Sequence, residues 1–493
     1  MRKSLPIICL SIVIGVFGVL TGACTVGPKY SRPQTPADTN DGYFNIGAHK
    51  EEIGDFNALD TWWERFGDPT TALLVREMLD NNYDLKAAAA RVIQAQAALA
   101  EAHGGRLPDV AYDMSRNRNK MSFSFGSGMG GFGGGRFSVL TETWQQNISV
   151  AYMVDLFGKL RHLERAAWAQ VLAAEAGEQA LVNSMIATVI KSRIDIATIE
   201  GRLAIARANT QSRKSMLEVV EKRSAQGQVS PLDVRLAREN LEAAKAIEPS
   251  LEALLATARH SLDVLVSRRP GSSEQLPRTL SDLPNLDPVP VGVPAALLDR
   301  RPDVSSAEMN LRTANEQIGV SIAQLFPDLT LTAAYGGSAD RYHDVWEHFS
   351  ETYSAGFAVT APIFKGGRLR AQIKAAKARY AELAAVYEGI VLTAMREVED
   401  ALVMEKMQQQ QLEHAALQLE QAKAAEEISR RRYEQGTEGI LSVLEAEQRR
   451  RADEEQIVIL KGQIWTSRVN LHLALGGDWD YQEQNEQKEA KAK

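Results

Sequence analysis

Few residues of this 493-residue chain have types and spacings that could do chemistry. Gly126, Gly128 and Gly131 spell G-x-G-x-x-G. A dinucleotide loop needs a helix directly after it, inside a βαβ unit. This run stands instead between two segments of strand character, and we read it as a connecting loop. His343 and His348 could offer imidazoles, but no carboxylate or cysteine set is evident to complete a metal site. The other histidines are scattered, and no metal is expected. The only cysteines are Cys9 and Cys24, which excludes an internal disulfide framework once a leader is removed. No nucleophile, base and orienting residue form a group worth calling catalytic. Neither enzymatic activity nor a cofactor is expected.

What remains is Cys24 in its context. Arg2 and Lys3 precede an apolar run from Leu5 to Leu20, interrupted by Pro6 and Gly15, and small residues lead on to Cys24. This is the layout of a secretory signal, 1–23, too short to span a membrane. No second long apolar stretch follows, which excludes a helical multi-pass membrane protein, since each span needs about 20 apolar residues. Leu20-Thr21-Gly22-Ala23-Cys24 resembles a bacterial lipobox, with the leucine four places before the cysteine rather than three. On that reading Cys24 is the lipid-acylated first residue of the mature chain, and Thr25 after it suits outer-membrane delivery. Plain cleavage with an unmodified Cys24 is the alternative. The net charge of −7 is modest for this length and gives no reason to expect a nucleic-acid partner. Mean hydropathy is below zero, which fits a soluble helix-rich protein. It fits a membrane β-barrel equally, because alternating strands average out.

The elements that must position everything else repeat. Leu107-Pro108-Asp109 returns as Phe326-Pro327-Asp328, an offset of 219. Leu156-Phe157-Gly158-Lys159 returns as Ile363-Phe364-Lys365-Gly366 at 207. Gln226-Gly227, followed by Leu232 and Val234, returns as Gln435-Gly436, followed by Leu441 and Val443, at 209. Each half reads helix, strand, loop, strand, very long helix, turn, long helix. An N-terminal segment (24–80) precedes the first repeat (81–268). A proline-rich connector (269–302), the second repeat (303–476) and a polar tail (477–493) follow.

Three strand segments alternate with period two between an apolar and a small or polar face. In the first half Ile148, Val150, Tyr152 and Val154 share a face. In the second, Leu329, Leu331, Ala333 and Tyr335 share one, as do Tyr353, Ala355, Phe357, Val359, Ala361 and Ile363. The fourth segment, Val110 to Phe125, is poorer. Val110, Tyr112 and Met114 fit, but Arg116, Arg118 and Lys120 interrupt before Met121, Phe123 and Phe125.

From about Lys159 to Gln226 there is no proline, and Val182, Val189, Ile196 and Leu203 recur every seven residues, with Met185, Ile199 and Ala206 beside them. Val391, Met395, Val398 and Leu402 mark a matching helix from about Arg368 to Gln435. Sustained seven-residue spacing predicts coiled-coil packing, and helices of this length run roughly 100 Å at 1.5 Å per residue. If the strands enter lipid they must close, and four strands cannot. Two chains give eight strands around a lumen filled by side chains; three give twelve and a wider one. A conduit therefore favours three copies.

The duplicated unit, with Trp62-Trp63, Phe66-Gly67-Asp68-Pro69, Asp155-Leu156-Phe157-Gly158, Arg300-Arg301-Pro302-Asp303-Val304 and Ala474-Leu475-Gly476-Gly477, resembles the TolC-like outer-membrane efflux proteins. The closest branch is the lipid-anchored one that serves resistance-nodulation-division pumps, and the likeness runs from Cys24 to about Trp479. It implies an α+β membrane protein: a homotrimer with a twelve-stranded transmembrane β-barrel and a long periplasmic α-helical barrel. It also implies partners, a periplasmic adaptor and an inner-membrane pump, and passive export of drugs or other small toxic compounds. The family's adaptor-docking tips fall on Gly227 and Gly436. Its acidic periplasmic gate falls on Asp233, Ser442 and Glu445, with Ser442 replacing an aspartate found in relatives. The rival readings are an exit duct for type I protein secretion, and a periplasmic adaptor, which would carry one hairpin rather than two.

Overall fold

In the computed structural model, residues 25–38, 42–45, 63, 68–124, 136–272, 291, 294 and 297–477 are described. Cys24, the glycine-rich loop, most of the proline-rich connector and the C-terminal tail lie outside them. The described chain forms α1 (Pro69–Asn81), α2 (Tyr83–Gly104), β1 (Asp109–Ser124), β2 (Arg136–Val154), α3 (Lys159–Ala225) and α4 (Pro231–Leu265). The second half gives α5 (Pro302–Ala323), β3 (Asp328–Ala339), β4 (Glu351–Thr360), α6 (Arg368–Glu434) and α7 (Ile440–Ala474). No described helix is long and apolar enough to cross a membrane. Contacts divide the chain into two compact units. One comprises Met1–Arg32, Ile93–Leu172 and Met309–Ala385; the other comprises Pro33–Val92, Ala173–Glu308 and Val386–Lys493.

The first unit carries a four-stranded antiparallel sheet in the order β1-β2-β3-β4. The two repeats meet in its middle, where Tyr152 pairs with Leu331 and Ile148 with Tyr335. Outside the sheet, Phe157 stacks on Phe326 at 4.6 Å between ring centroids, joining two of the landmarks found by their repetition. Register places Tyr112, Ile148, Tyr335 and Tyr353 in one row across all four strands. Because direct cross-strand partners share a face, one side of the sheet is apolar. The other carries residues such as Asn147, Ser149, Thr332 and Ser354. β1 and β4 are the edges, each with one row of backbone groups unpaired within the described chain.

One strand expectation needs correction, that for β4. β1 runs through its cations to Ser124, with Arg116 opposite Trp144, Arg118 opposite Glu142 and Lys120 opposite Leu140. These cations keep the even-numbered, otherwise apolar face, whereas Met121 and Phe123 stand on the opposite one, where Phe123 stacks on Phe137 at 5.1 Å. β4 ends at Thr360, so Ala361 and Ile363 lie beyond it. Pro362, lacking an N–H, cannot extend a ladder.

The second unit is helical. Its largest core gathers Leu74, Val75 and Met78 of α1 against Val189, Ile196 and Leu203 of α3, Leu255 and Leu262 of α4, and Trp465 and Val469 of α7. Val391, Val398 and Leu402 of α6 form a second core with Tyr387, Val304 and Leu471. Most of the heptad positions are therefore buried, as their period requires, while Val182, Met185 and Met395 are partly buried at the margins of these cores. α3 and α6 each have 67 residues.

The family motifs serve as joints. Asp68 caps α1 by accepting from the N–H groups of Thr70 and Thr71 at 3.2 and 3.3 Å. Arg301 is buried, donates to the Ala474 carbonyl at 2.9 Å, and forks onto Asp303 at 3.0 and 2.7 Å. Asn183 donates to the Gly476 carbonyl at 2.8 Å, tying the end of α7 to α3. Trp63 is buried in the largest core.

α3 and α7 approach closely through a reciprocal pair of glycines. A Cβ on Gly201 would stand 2.9 Å from Val458 Cγ1, and one on Gly462 would stand 2.4 Å from Thr198 Oγ1. Thr198 is pinned, since its hydroxyl donates to the Ile194 carbonyl at 2.9 Å. Gly462→Leu is therefore expected to destabilise the protein by about 1–3 kcal/mol through overpacking. Gly389→Ala, where nothing lies within 4 Å of an added Cβ, should be neutral or stabilising. Thermal melts of the two variants check the contrast.

Candidate functional site: the hairpin turns and the polar cluster behind them

The two helical hairpins turn in the same way. Gly227 and Gly436 both have φ of 72°, the left-handed region that favours glycine. Gly227 N–H donates to Ser224 O at 2.9 Å and Gln228 N–H to Arg223 O at 2.9 Å; Gly436 N–H donates to Tyr433 O at 3.0 Å and Thr437 N–H to Arg432 O at 3.0 Å. This pattern satisfies the last carbonyls of a helix. Added Cβ atoms at either glycine would meet nothing within 4 Å. The turns are thus stereochemical copies, exposed at the ends of α3 and α6.

Beyond the turns the repeats differ. α4 opens with a full capping box: Asp233 N–H donates to Ser230 Oγ at 3.3 Å, and Ser230 N–H donates to Asp233 Oδ2 at 2.9 Å. Ser230 at the N-cap and Pro231 at the first helical position encode that start. α7 begins at Gly439 with no side-chain cap. Asp233 therefore spends its carboxylate on its own helix. Ser442 is half-buried, and Glu445 is exposed, 3.8 Å from Arg449 one turn on. A pair that open to water adds little. Among the described residues, no hydrogen bond or ion pair joins Asp233, Ser442 and Glu445 to one another. Within one chain they do not assemble.

A group that the sequence reading passed over does assemble behind the turns. Met216 and Val220 of α3, Ala237 of α4, and Tyr433, Ile440, Val443 and Leu444 of the second hairpin form a small apolar core. Arg223 crosses from α3 to the end of α6, where it donates to the carbonyls of Tyr433 and Glu434 at 2.8 and 2.5 Å. It also lies 5.0 Å from the Tyr433 ring centroid. One helix thereby caps another through a cation at its carbonyl end, the polarity that a helix C-terminus favours.

Next to this core lies Glu447 on α7, with none of its surface exposed. Arg430 donates to it at 3.1 Å and to Glu426 at 2.9 Å. Arg450 also binds Glu426 and reaches Glu454 at 2.6 Å. Glu447 Oε2 has no hydrogen-bond partner among the described residues. Burial pushes the Glu447 carboxyl above its usual 4.5 and the charge of Glu426 adds to this, against the pull of Arg430 and Arg213. Arg213 of α3 donates to the backbone and side-chain oxygens of Asn240, both at 2.8 Å. Burial lowers its affinity for the proton, as does the nearby Arg451.

The histidines of the β3–β4 loop call for a further correction. His343 and Asp344 lie in one short 3-10 turn that ends at Glu347, and the ligand atoms of the three all lie within 4.8 Å of one another. Carboxylates therefore do accompany His343. Two of them are one and four places along, and the turn folds them back onto the imidazole. The side chain of His343 is 88% exposed, so the group is open to water.

A sheet with two unpaired edges, joined to two long hairpins with matching turns, defines a subunit of an outer-membrane channel. The chain belongs to the outer membrane efflux protein family, whose profile matches residues 74–267 and 293–477. It is 30% identical over 463 residues to the pyoverdine export outer membrane protein OpmQ of Pseudomonas aeruginosa, covering 94% of this chain and 95% of that one. It is 29% identical over 489 residues to the toluene efflux pump outer membrane protein TtgI of Pseudomonas putida, covering 97% and 98%. Among solved structures it is similar to the outer-membrane channel OprN, with a TM-score of 0.82 at 31% identity over 92% of this chain and 99% of that one. The protein is an outer-membrane efflux channel subunit that gives four strands to a trimeric, twelve-stranded barrel. Its family is one of channels rather than enzymes.

The pKa shift of Glu447 makes the packing of the hairpin ends pH-dependent. Because the folded pKa is raised, the stabilisation is fully present below the usual carboxylate value and is lost as pH rises through the folded one. Glu447→Gln, which keeps the neutral form, should raise the thermal midpoint at mildly alkaline pH. The gain should shrink as the pH falls. Melts of both proteins across pH check this, and a lower midpoint for the variant at every pH would show that the Arg430 pairing outweighs burial.

Proposed function

We propose that three copies of this chain form the passive exit duct of a tripartite efflux system, taking small organic compounds from an inner-membrane pump through a periplasmic adaptor. The observation that carries this reading is the pair of matching exposed turns at Gly227 and Gly436. Three chains present six such turns, a repeating rim suited to an adaptor that itself repeats. Relatives named for pyoverdine export and toluene efflux favour small-molecule efflux over protein secretion. Acylation of Cys24 anchors the chain to the outer membrane in this account. Asp233, Ser442 and Glu445 contribute to narrowing the periplasmic mouth, where carboxylates repeated around a three-fold axis favour cations and respond to salt. Asp233 has a second duty as a helix cap, so Glu445 is the cleaner test.

Photocrosslinkers attached at Gln226→Cys and Gln435→Cys are expected to capture a periplasmic adaptor in intact cells. Capture from a mid-helix control site instead, or failure of the channel gene to restore resistance to organic toxicants in a deletion strain, would reject the assignment. Glu445→Ala should raise single-channel conductance in planar bilayers, and unchanged conductance would remove Glu445 from the mouth.

A further inference from the structure

The cations that break the apolar pattern of β1 stand in an informative place. On the apolar face of the sheet, Tyr112, Tyr335 and Tyr353 share one row, an aromatic line of the kind that marks the edge of a barrel's lipid-facing band. The strand ends joined to α2 and α3 lie on one side of that row, and the strand ends at Ser124 and Ala339 lie on the other. On the helix side the stacked Phe157 and Phe326 stand nine residues from Ile148 and Tyr335. At about 3.4 Å per residue and a tilt near 40° that is roughly 23 Å, close to the height of an apolar band with aromatic girdles at both edges, so the row marks the outer interface. Arg116, Arg118 and Lys120 continue the same face on the loop side. Arg116 is four residues past Tyr112 and Lys120 is eight. At about 3.4 Å per residue and a tilt near 40°, they stand roughly 10 and 20 Å above the aromatic row.

Charge and height together select the occupant. The Arg116 guanidinium lies 5.1 Å from the Trp144 ring centroid and 2.7 Å from Glu142, while Arg118 is 3.8 Å from Glu142. One carboxylate thus faces two guanidiniums, and Lys120 has no ion-pair partner among the described residues. The other carboxylate near this face, Glu351, is engaged by the Tyr335 hydroxyl at 2.5 Å and by His348 at 2.9 Å. The ladder keeps an excess of positive charge. Phospholipid headgroups form a layer only about 5–8 Å thick on each side of the hydrocarbon, which falls short of Arg118 and Lys120. A thick anionic headgroup reaches them.

We propose that Arg116, Arg118 and Lys120 form a lipid-facing binding ladder for the phosphorylated saccharide headgroup of an outer-leaflet glycolipid. Arg116, stacked on Trp144, takes the phosphate nearest the acyl chains, and Arg118 and Lys120 take anionic groups further out. Arginine and lysine suit phosphate in complementary ways, one as a fork and the other as a point charge.

The test is native mass spectrometry of the detergent-extracted trimer titrated with rough-type lipopolysaccharide. Phosphatidylglycerol and inorganic phosphate serve as separate arms, and survival of the trimer on unheated gels is the folding check. Arg118→Gln with Lys120→Gln should weaken lipopolysaccharide binding about thirtyfold, each cation near an anionic surface contributing roughly 1 kcal/mol. Glu142→Gln, which removes the carboxylate that pairs with Arg116 and Arg118, should strengthen it. Unchanged affinity in the double variant overturns the proposal. So does equal retention of phosphatidylglycerol, or displacement of the glycolipid by inorganic phosphate, which would reveal a general anion surface.

Discussion

Lipid offers no hydrogen bonds, so a backbone group that enters it must find its partner within protein. β1 and β4 each leave one row of N–H and C=O groups unpaired in the single chain, and the rest of the protein follows from how that debt is met. Four strands are too few to close, whereas β1 of one copy against β4 of the next closes twelve around a lumen wide enough to conduct. The same closure sets the two faces of the sheet, apolar to lipid and polar or small to water. It also explains why both faces of β4 are exposed in one chain: one meets lipid and the other the water of the lumen, while another copy pairs with its edge.

The helical unit meets a different requirement. Hairpins that must share a wall cannot rely on one deep apolar core, and here packing is divided among several clusters with charged joints between them. Arg468 forks onto Glu405 at 2.9 and 2.5 Å in a buried pair. Arg223 holds the carbonyl end of α6, and Arg430 bridges Glu426 and Glu447. Such pairs give modest net stability but penalise any arrangement that separates them. That is useful where neighbouring helices of similar sequence could otherwise slide by a turn. The Glu447 cluster sits directly behind the turns, so the packing there carries a pH dependence.

Much of this was legible in the sequence, for identifiable reasons. Val189, Ile196 and Val398 recur at the coiled-coil period and are buried because that period faces a neighbour. Gly227 and Gly436 announced turns that only glycine makes easily. Where sequence reasoning failed, the deciding partner lay far along the chain. Arg116, Arg118 and Lys120 made their segment look poor, because alternation is normally judged by apolarity; register with β2 shows that they keep the face of Tyr112. Glu447 resembles any solvated helix residue until Glu426, Arg430 and Arg213 from two other helices surround it. Asp233 was matched to a gate by likeness, but the local S-x-x-D spacing from Ser230 already contained its capping role. The carboxylates beside His343 were visible one and four places along, but only the 3-10 turn brings their oxygens to the ring.

The central claim is that three chains close one barrel. Native mass spectrometry of the full-length protein, extracted from membranes in mild detergent, counts the chains directly. The account predicts a single assembly of three chains that falls to monomers on heating. A stable assembly of two chains, or a monomer that stays in solution without detergent, would contradict it.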